Sequence, residues 1–407
     1  MAHYRVLNIN HNYFVRGGSD SYFFSLEALL TDHGHEVVPF TAADTRNRPT
    51  SWAHYFPAAV NEAHPGVRDV GRFIFSRSAR RDLRRLLDEQ SIDIAHLHNY
   101  YGKLTSSILA PLHKAGIPIV QTLHDYKVVC PTYSCLRHGE ACERCAGQEF
   151  WRCTAYRCNR GSLTRSLASM IEAYVSQKLG GVSNIDHFIA PSRFLRDLIV
   201  RNGVPTEKIS VIHNFVDAEL FTPATGLGEY FLYFGRLESI KGLESLIRAV
   251  AGLHQVPLLV AGDGNLRQYL ESLIVELSAD NVRFLGYRSG TELHDLVRGS
   301  IATLMPSTCY ENCPMSVLES MALARPVVGS CIGGIPELVI DGQDGVLIAP
   351  DNVEGWREVL VRLWEDKEGA RAMGQAARQR VLNEFSAADH YEQVLSVYRN
   401  LRRTNGD

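Results

Sequence analysis

A chain of 407 residues is long enough for two or three domains and for a core that needs neither disulfides nor metal. Hydrophobic residues make up 45% and charged residues 21%, the balance of an ordinary globular protein, which excludes a disordered chain. The 42 Lys and Arg against 45 Asp and Glu leave a formal net charge of −3, which gives no support for a nucleic-acid binder organised by bulk charge, and no nucleic-acid partner is expected; no apolar run approaches the roughly 18 residues of a bilayer span. The opening MAHYRVLNINHNY has no long apolar stretch and no small-residue cleavage site, so no signal peptide is expected and the expected compartment is the cytoplasm.

In chain order, Tyr4–Asn10 reads as a buried strand, followed by Gly17-Gly18 and an amphipathic helix with Gly34 at its end. Further apolar strands are predicted at Val37–Thr41, Ile92–His98, Ile117–His124, His187–Pro191 and Ile209–Asn214, most of them separated by helical patterns. Such alternation means βαβ units and a mostly parallel sheet. Residues Asp217–Glu229 have no periodicity and many turn formers, which marks a linker. The grammar then restarts, with strands predicted at Tyr230–Phe234, Pro257–Ala261, Val282–Leu285, Ile301–Pro306, Val327–Gly329 and Val346–Ile348. The reading is two doubly wound Rossmann-like α/β domains, 1–217 and 228–385, facing each other across a cleft. A last helix, 386–407, carries Tyr391, Val394, Leu395, Val397 and Tyr398 on one face, either as a solvated terminal helix or as a strap back to the first domain.

Strand Tyr230–Phe234 runs into Gly235-Arg236, then Lys241-Gly242 and a helix. Free amides at a helix start and two cations suit a diphosphate. The next strand ends in Gly262-Asp263-Gly264, ordinary turn chemistry. In CYENCPMSVLES, Glu311 falls just before a helix with Pro314 at its first turn, and Glu319 lies inside it, so two carboxylates could hold hydroxyls of one elongated ligand. Gly333-Gly334-Ile335-Pro336-Glu337 follows, where backbone can approach a ligand. In the first domain there is no G-x-G-x-x-G. His124 ends one strand and His96 and His98 end another; a structural role is the default for each.

The succession GR-x4-KG, AGDG, FLG, PS-x3-E-x7-E and GGIPE, with RGGSD, HDY, APSRF and VIHNFVDAELF before it, resembles the family 4 retaining glycosyltransferases of GT-B architecture. The resemblance runs from about Val6 to Tyr398. It implies a metal-independent, hexosyl-type transferase that moves sugar from a nucleoside diphosphate sugar to a glycan or lipid-linked acceptor. By resemblance, Arg236 and Lys241 hold the diphosphate beside Gly235 and Gly262, and Glu319 holds the ribose. Glu311, with the stretch Asn312, Cys313, Pro314, Met315 and Ser316, orients the sugar. His124 lies near the anomeric carbon or the acceptor, counted with Glu311, Arg236 and Lys241 as catalytic, and Gly17 and Gly18 approach the phosphates. Glu-Asn-Cys-Pro stands where many members have Glu-Gly-Phe-Gly, so the donor sugar stays open. A nucleotide-sugar epimerase and an inactive binding protein are the competing readings.

Six of the nine cysteines lie at 130–158, with Cys142-x2-Cys145 spaced as a metal knuckle. The segment resembles a cysteine-rich insert of one branch of the family, after HDY, which implies Cys130, Cys142, Cys145 and Cys158 as ligands of a structural zinc and no catalytic metal. Between Val67 and Arg85 seven arginines interleave with Val70, Phe73, Ile74, Phe75 and Leu83. A helix packed on the sheet with a solvated basic face is favoured over contact with an anionic membrane surface.

Overall fold

The computed structural model describes residues 3–58 and 67–404; residues 1–2, 59–66 and 405–407 of the expected domains lie outside the described residues. The chain divides into two compact units: 1–138, 142–213 and 391–407 form the first, and 139–141 with 214–390 the second.

The first unit holds strands β1 (Arg5–Ile9), β2 (Glu36–Phe40), β3 (Ile94–Leu97) and β4 (Ile119–Thr122), a two-residue pair β5 (Leu136–Arg137) and β6 (Glu140–Ala141), then β7 (His187–Ala190) and β8 (Ile209–Val211). The six long strands form one sheet in the order β2-β1-β3-β4-β7-β8, and every pairing in it is parallel. Val6, Leu7, Ile9, Ile94, Ala95 and Leu97 are fully buried, as strands covered by helices on both faces must be. The chain winds outward from β1 to β2, then reverses to β3. The carboxyl ends of β1 and β3 therefore flank a topological switch point, where open α/β sheets bind ligands.

The second unit repeats the plan. Its strands are β9 (Tyr230–Phe234), β10 (Leu258–Ala261), β11 (Val282–Gly286), β12 (Ser300–Met305), β13 (Val327–Ser330) and β14 (Gly345–Ile348), in the order β11-β10-β9-β12-β13-β14. Its core joins Phe231, Leu258, Ile301 and Val328 to Leu246, Ile247 and Trp356 of the covering helices. The switch point here lies between β9 and β12. All twelve expected strands are present, with ends shifted by at most three residues.

The last helix, Ala387–Thr404, buries all five residues of its expected apolar face. From Tyr391 onward it belongs to the first unit. There the Tyr391 hydroxyl bonds His35 Nε2 at 2.8 Å and the Tyr398 hydroxyl bonds His96 Nδ1 at 2.6 Å. The basic stretch forms two helices, Val67–Ile74 and Arg77–Glu89, separated by Phe75 and by Ser76, which caps the second. Leu83 turns into the core, Phe73, Ile74 and Phe75 are half-buried, and Val70 faces out. No helix among the described residues is long and apolar enough to cross a membrane.

Candidate active site

In the second unit four loops gather at the carboxyl ends of the strands around the switch point. The loop after β9 brings Gly235, Arg236 and Lys241, and the loop after β12 brings Ser307 and Glu311. Those after β10 and β13 pack against them so closely that only glycine fits. A Cβ on Gly262 would stand 1.9 Å from the Gly235 carbonyl oxygen, and one on Gly333 would stand 2.5 Å from that of Glu311. Gly262 thus seats one loop on another, a packing role beside the donor-binding role implied for it. The Gly334 N–H donates to the Glu311 carbonyl at 2.6 Å and fixes the backbone that presents Glu311.

The charged centre of this cluster is a pair. Lys241 Nζ donates to Glu311 Oε1 at 2.5 Å, and Ser307 Oγ donates to the same oxygen at 2.6 Å. The side chains of Lys241 and Glu311 are 16% and 14% exposed, so the pair is sheltered yet open to a ligand. Burial pulls the Lys241 ammonium's pKa down, but the charge of Glu311, its hydrogen bond and the nearby Cys309 together more than offset it and the net shift is upward; Lys241 stays a cation. Ser307 was missed as a contributor, although it opens the PS-x3-E motif. Arg236 is exposed and paired with its neighbour Glu238 at 2.8 Å.

Helix Met315–Ala322 begins at Pro314, which occupies the N-cap (φ −66, ψ 121), one residue earlier than expected. Asn312 is half-buried, and its Oδ1 has no hydrogen-bond partner among the described residues. Cys313 does not face outward. It is buried in an apolar cluster with Met315, its Sγ accepts from the Asn214 N–H at 3.3 Å, and its carbonyl accepts from Asn214 Nδ2 at 2.8 Å. Its thiol is thereby committed to holding Asn214, and burial pushes its pKa up to about 12. Ser316 and Glu319 are half-buried. Burial alone raises the Glu319 carboxyl to about 7, with no cation set against it.

In the first unit Gly17 caps helix Gly18–Asp32, and both glycines are exposed. A Cβ on Gly17 would meet nothing within 4 Å, so its backbone is open to approach. His124 sits just past β4 and stacks on His98 from the end of β3, with ring centroids 5.2 Å apart. His98 Nε2 lies 2.9 Å from Asn8 Oδ1, and His98 Nδ1 lies 2.9 Å from His124 Nε2. The Asn8 oxygen can only accept. Nε2 of His98 therefore carries the proton, its Nδ1 accepts, and His124 donates from Nε2 and keeps an unprotonated Nδ1. Burial, with His11 adding to it, lowers His124 to about 3, so the ring is neutral at pH 7. Asn8 and His98 are visible in the sequence as strand residues, but only the adjacency of β1, β3 and β4 makes them a relay.

In the insert Cys130, Cys142, Cys145 and Cys158 are close enough to influence one another electrostatically. Cys130 also accepts from Cys135, which pulls its thiol down to about 5, and Cys158 accepts from Cys153. Among the described residues no three Cys, His, Asp or Glu side chains converge on a metal-binding point. The thiols fit zinc chemically; in their present positions they do not form its tetrahedron.

Two doubly wound Rossmann-like domains are the architecture of GT-B glycosyltransferases, and comparison with known proteins agrees with that fold. A family model for glycosyltransferase family 4 matches residues 16–220, and one for group 1 glycosyl transferases matches 224–380. The chain belongs to glycosyltransferase family 4 and is an enzyme that transfers a sugar. It is 28% identical over 416 residues to a glycogen synthase of Mycobacterium tuberculosis, covering 94% of this chain and 91% of that one. It is 26% identical to an alpha-maltose-1-phosphate synthase of Mycolicibacterium smegmatis, covering 84% and 88%. The crystal structure of Anabaena HepE in complex with UDP and glucose superposes with a TM-score of 0.70 at 18% identity, covering 98% of this chain and 100% of the other.

Proposed function

We propose that the protein is a retaining, hexosyl-type glycosyltransferase that moves a sugar from a nucleoside diphosphate sugar to a glycan or lipid-linked acceptor in the cytoplasm, without a catalytic metal. The observation that carries this reading is the sheltered Lys241–Glu311–Ser307 cluster, set at the switch point. An ammonium has three donors. One holds Glu311, and the others are available to a diphosphate, whose growing negative charge in the transition state they stabilise. Arg236, on the neighbouring turn, adds a second cation. Glu319 takes the ribose hydroxyls. Glu311, oriented by two donors, takes a hydroxyl of the sugar ring, with Asn312, the backbone of Cys313 and Pro314, and the amides of Met315 and Ser316 beside it. HepE, crystallised with UDP and glucose, supports a nucleotide-sugar ligand for this fold. Thermal-shift screening against a panel of nucleoside diphosphate sugars tests it, because a ligand of the folded state raises its melting temperature. One nucleotide series is expected to stabilise the chain; no response from any member would overturn the reading.

His124 is proposed to meet the acceptor as a neutral ring whose free Nδ1 is set by His98. His98→Leu should lower kcat about tenfold through loss of that orientation and leave nucleoside diphosphate affinity unchanged. Calorimetry beside steady-state kinetics separates the two, and an unchanged kcat in a variant with native melting behaviour would remove the relay from the mechanism.

Cys130, Cys142, Cys145 and Cys158 are proposed as the ligands of a structural zinc, whose binding would draw the four thiolates together. Elemental analysis of protein never exposed to chelator should find about one zinc per chain. Absence of metal would leave two hydrogen-bonded thiol pairs, Cys130 with Cys135 and Cys153 with Cys158, as the state of the insert.

A further inference from the structure

At the amino ends of β9, β12 and β13, the opposite end of the sheet from Lys241 and Glu311, the second unit holds a cavity of about 490 Å³. Its wall is the stretch 226–230, then Arg298 and Gly299, then Arg325. Arg325 is the deepest of these, 1% exposed. Its Nε, at 3.0 Å, and its Nη2 both donate to the Arg298 carbonyl, in the last turn of helix Gly290–Gly299. That contact accounts for one side of the guanidinium fork. Nη1 has no hydrogen-bond partner among the described residues, and no carboxylate among them pairs with this arginine. Burial pulls its pKa down to about 10. A buried cation without a counter-ion is costly in the folded chain.

The rest of the wall is rich in donors and short of acceptors. The Gly299 carbonyl takes the Glu229 N–H at 3.0 Å, and the Tyr230 hydroxyl donates to the Leu296 carbonyl at 2.9 Å. The N–H groups of Gly226, Leu227 and Gly228 meet no acceptor among the described residues. Arg298 commits Nη2 to Asp295 and keeps its other nitrogens. Glu229, the one acid of the wall, is exposed. Glycine keeps the wall bare. A Cβ on Gly299 would stand 2.5 Å from the Tyr230 hydroxyl oxygen, and one on Gly228 would stand 2.4 Å from the Ser300 carbonyl oxygen. Guanidinium forks and free amides select an oxyanion. A phosphate monoester offers three acceptor oxygens to these donors where a carboxylate offers two. The volume leaves room for a small organic body against Tyr230 and Leu227.

We infer that this cavity binds a small phosphate monoester, with Arg325 and Arg298 on the phosphate. The site is separate from the one around Lys241 and does not rest on the assignment of donor or acceptor. The test is calorimetric titration of the full chain with glycerol 3-phosphate and with inorganic phosphate, with glycerol as the neutral control. Wild type and Lys241→Ala should bind glycerol 3-phosphate equally, inorganic phosphate more weakly and glycerol not at all. Gly226→Asp sets a carboxylate at the wall where a Cβ meets nothing within 4 Å. It should keep the native melting temperature and weaken glycerol 3-phosphate binding at least tenfold. Arg325→Gln should weaken it as much, and Arg298→Ala severalfold. No binding of glycerol 3-phosphate to wild type would overturn the inference. So would loss of binding in Lys241→Ala, inorganic phosphate binding as tightly as the ester, or an affinity unchanged in both Gly226→Asp and Arg298→Ala.

Discussion

Lys241→Ala should lower kcat/KM by a factor of about a hundred or more, on the order of 3 kcal/mol of transition-state stabilisation. Two losses combine in that variant. The diphosphate loses a sheltered cation, and Glu311 loses the donor that holds it at 2.5 Å, leaving only Ser307 on the shared oxygen. Glu311→Gln removes the charge on the other side of the pair. It should depress kcat about tenfold or more while leaving bare nucleoside diphosphate affinity nearly unchanged, since Glu311 is assigned to the sugar and not to the nucleotide. Because the two groups touch, their effects should not add. A double-mutant cycle is expected to give a coupling of about 1–3 kcal/mol, and additivity within a few tenths would mean that the pair does not act as a unit.

The second large effect concerns Glu319. Its carboxyl is raised from 4.5 to about 7 by burial. A raised acid favours the neutral form in the folded chain. Below the unfolded value both states are protonated and nothing is lost. As pH climbs from 4.5 towards 7 the unfolded chain ionises first, folding becomes progressively more costly, and above 7 the penalty is complete. Glu319→Gln should therefore be more stable than wild type by up to about 3 kcal/mol at alkaline pH and match it in acid, seen in denaturant melts across pH. Ligand binding should run the other way. Two ribose hydroxyls are best met by the ionised carboxylate, so nucleotide affinity should rise as pH passes through about 7 in wild type and stay flat and weak in Glu319→Gln. A wild-type affinity that ignores pH across this range would take Glu319 out of the ribose site.

The strands were legible because parallel strands buried on both faces read as plain apolar runs, and the glycine turns that end them are equally local. Contacts between distant loops were not legible. Lys241 and Glu311 are 70 residues apart, and the sequence assigned one to phosphate and the other to sugar without a sign that they touch. Cys313 looked like a substituent next to the sugar; that it is spent on Asn214, 99 residues away, follows only from packing. His98 and His124 could be placed at strand ends, but their 2.9 Å contact depends on β3 and β4 being neighbours.

The most direct measurement is calorimetric titration of the full chain with UDP and UMP, and with GDP and GMP, on wild type and Lys241→Ala. For one base, the diphosphate should bind at least tenfold more tightly than the monophosphate to wild type, and this advantage should disappear in Lys241→Ala while monophosphate affinity is retained. Equal affinity for diphosphate and monophosphate, or a preference that survives loss of Lys241, would contradict it.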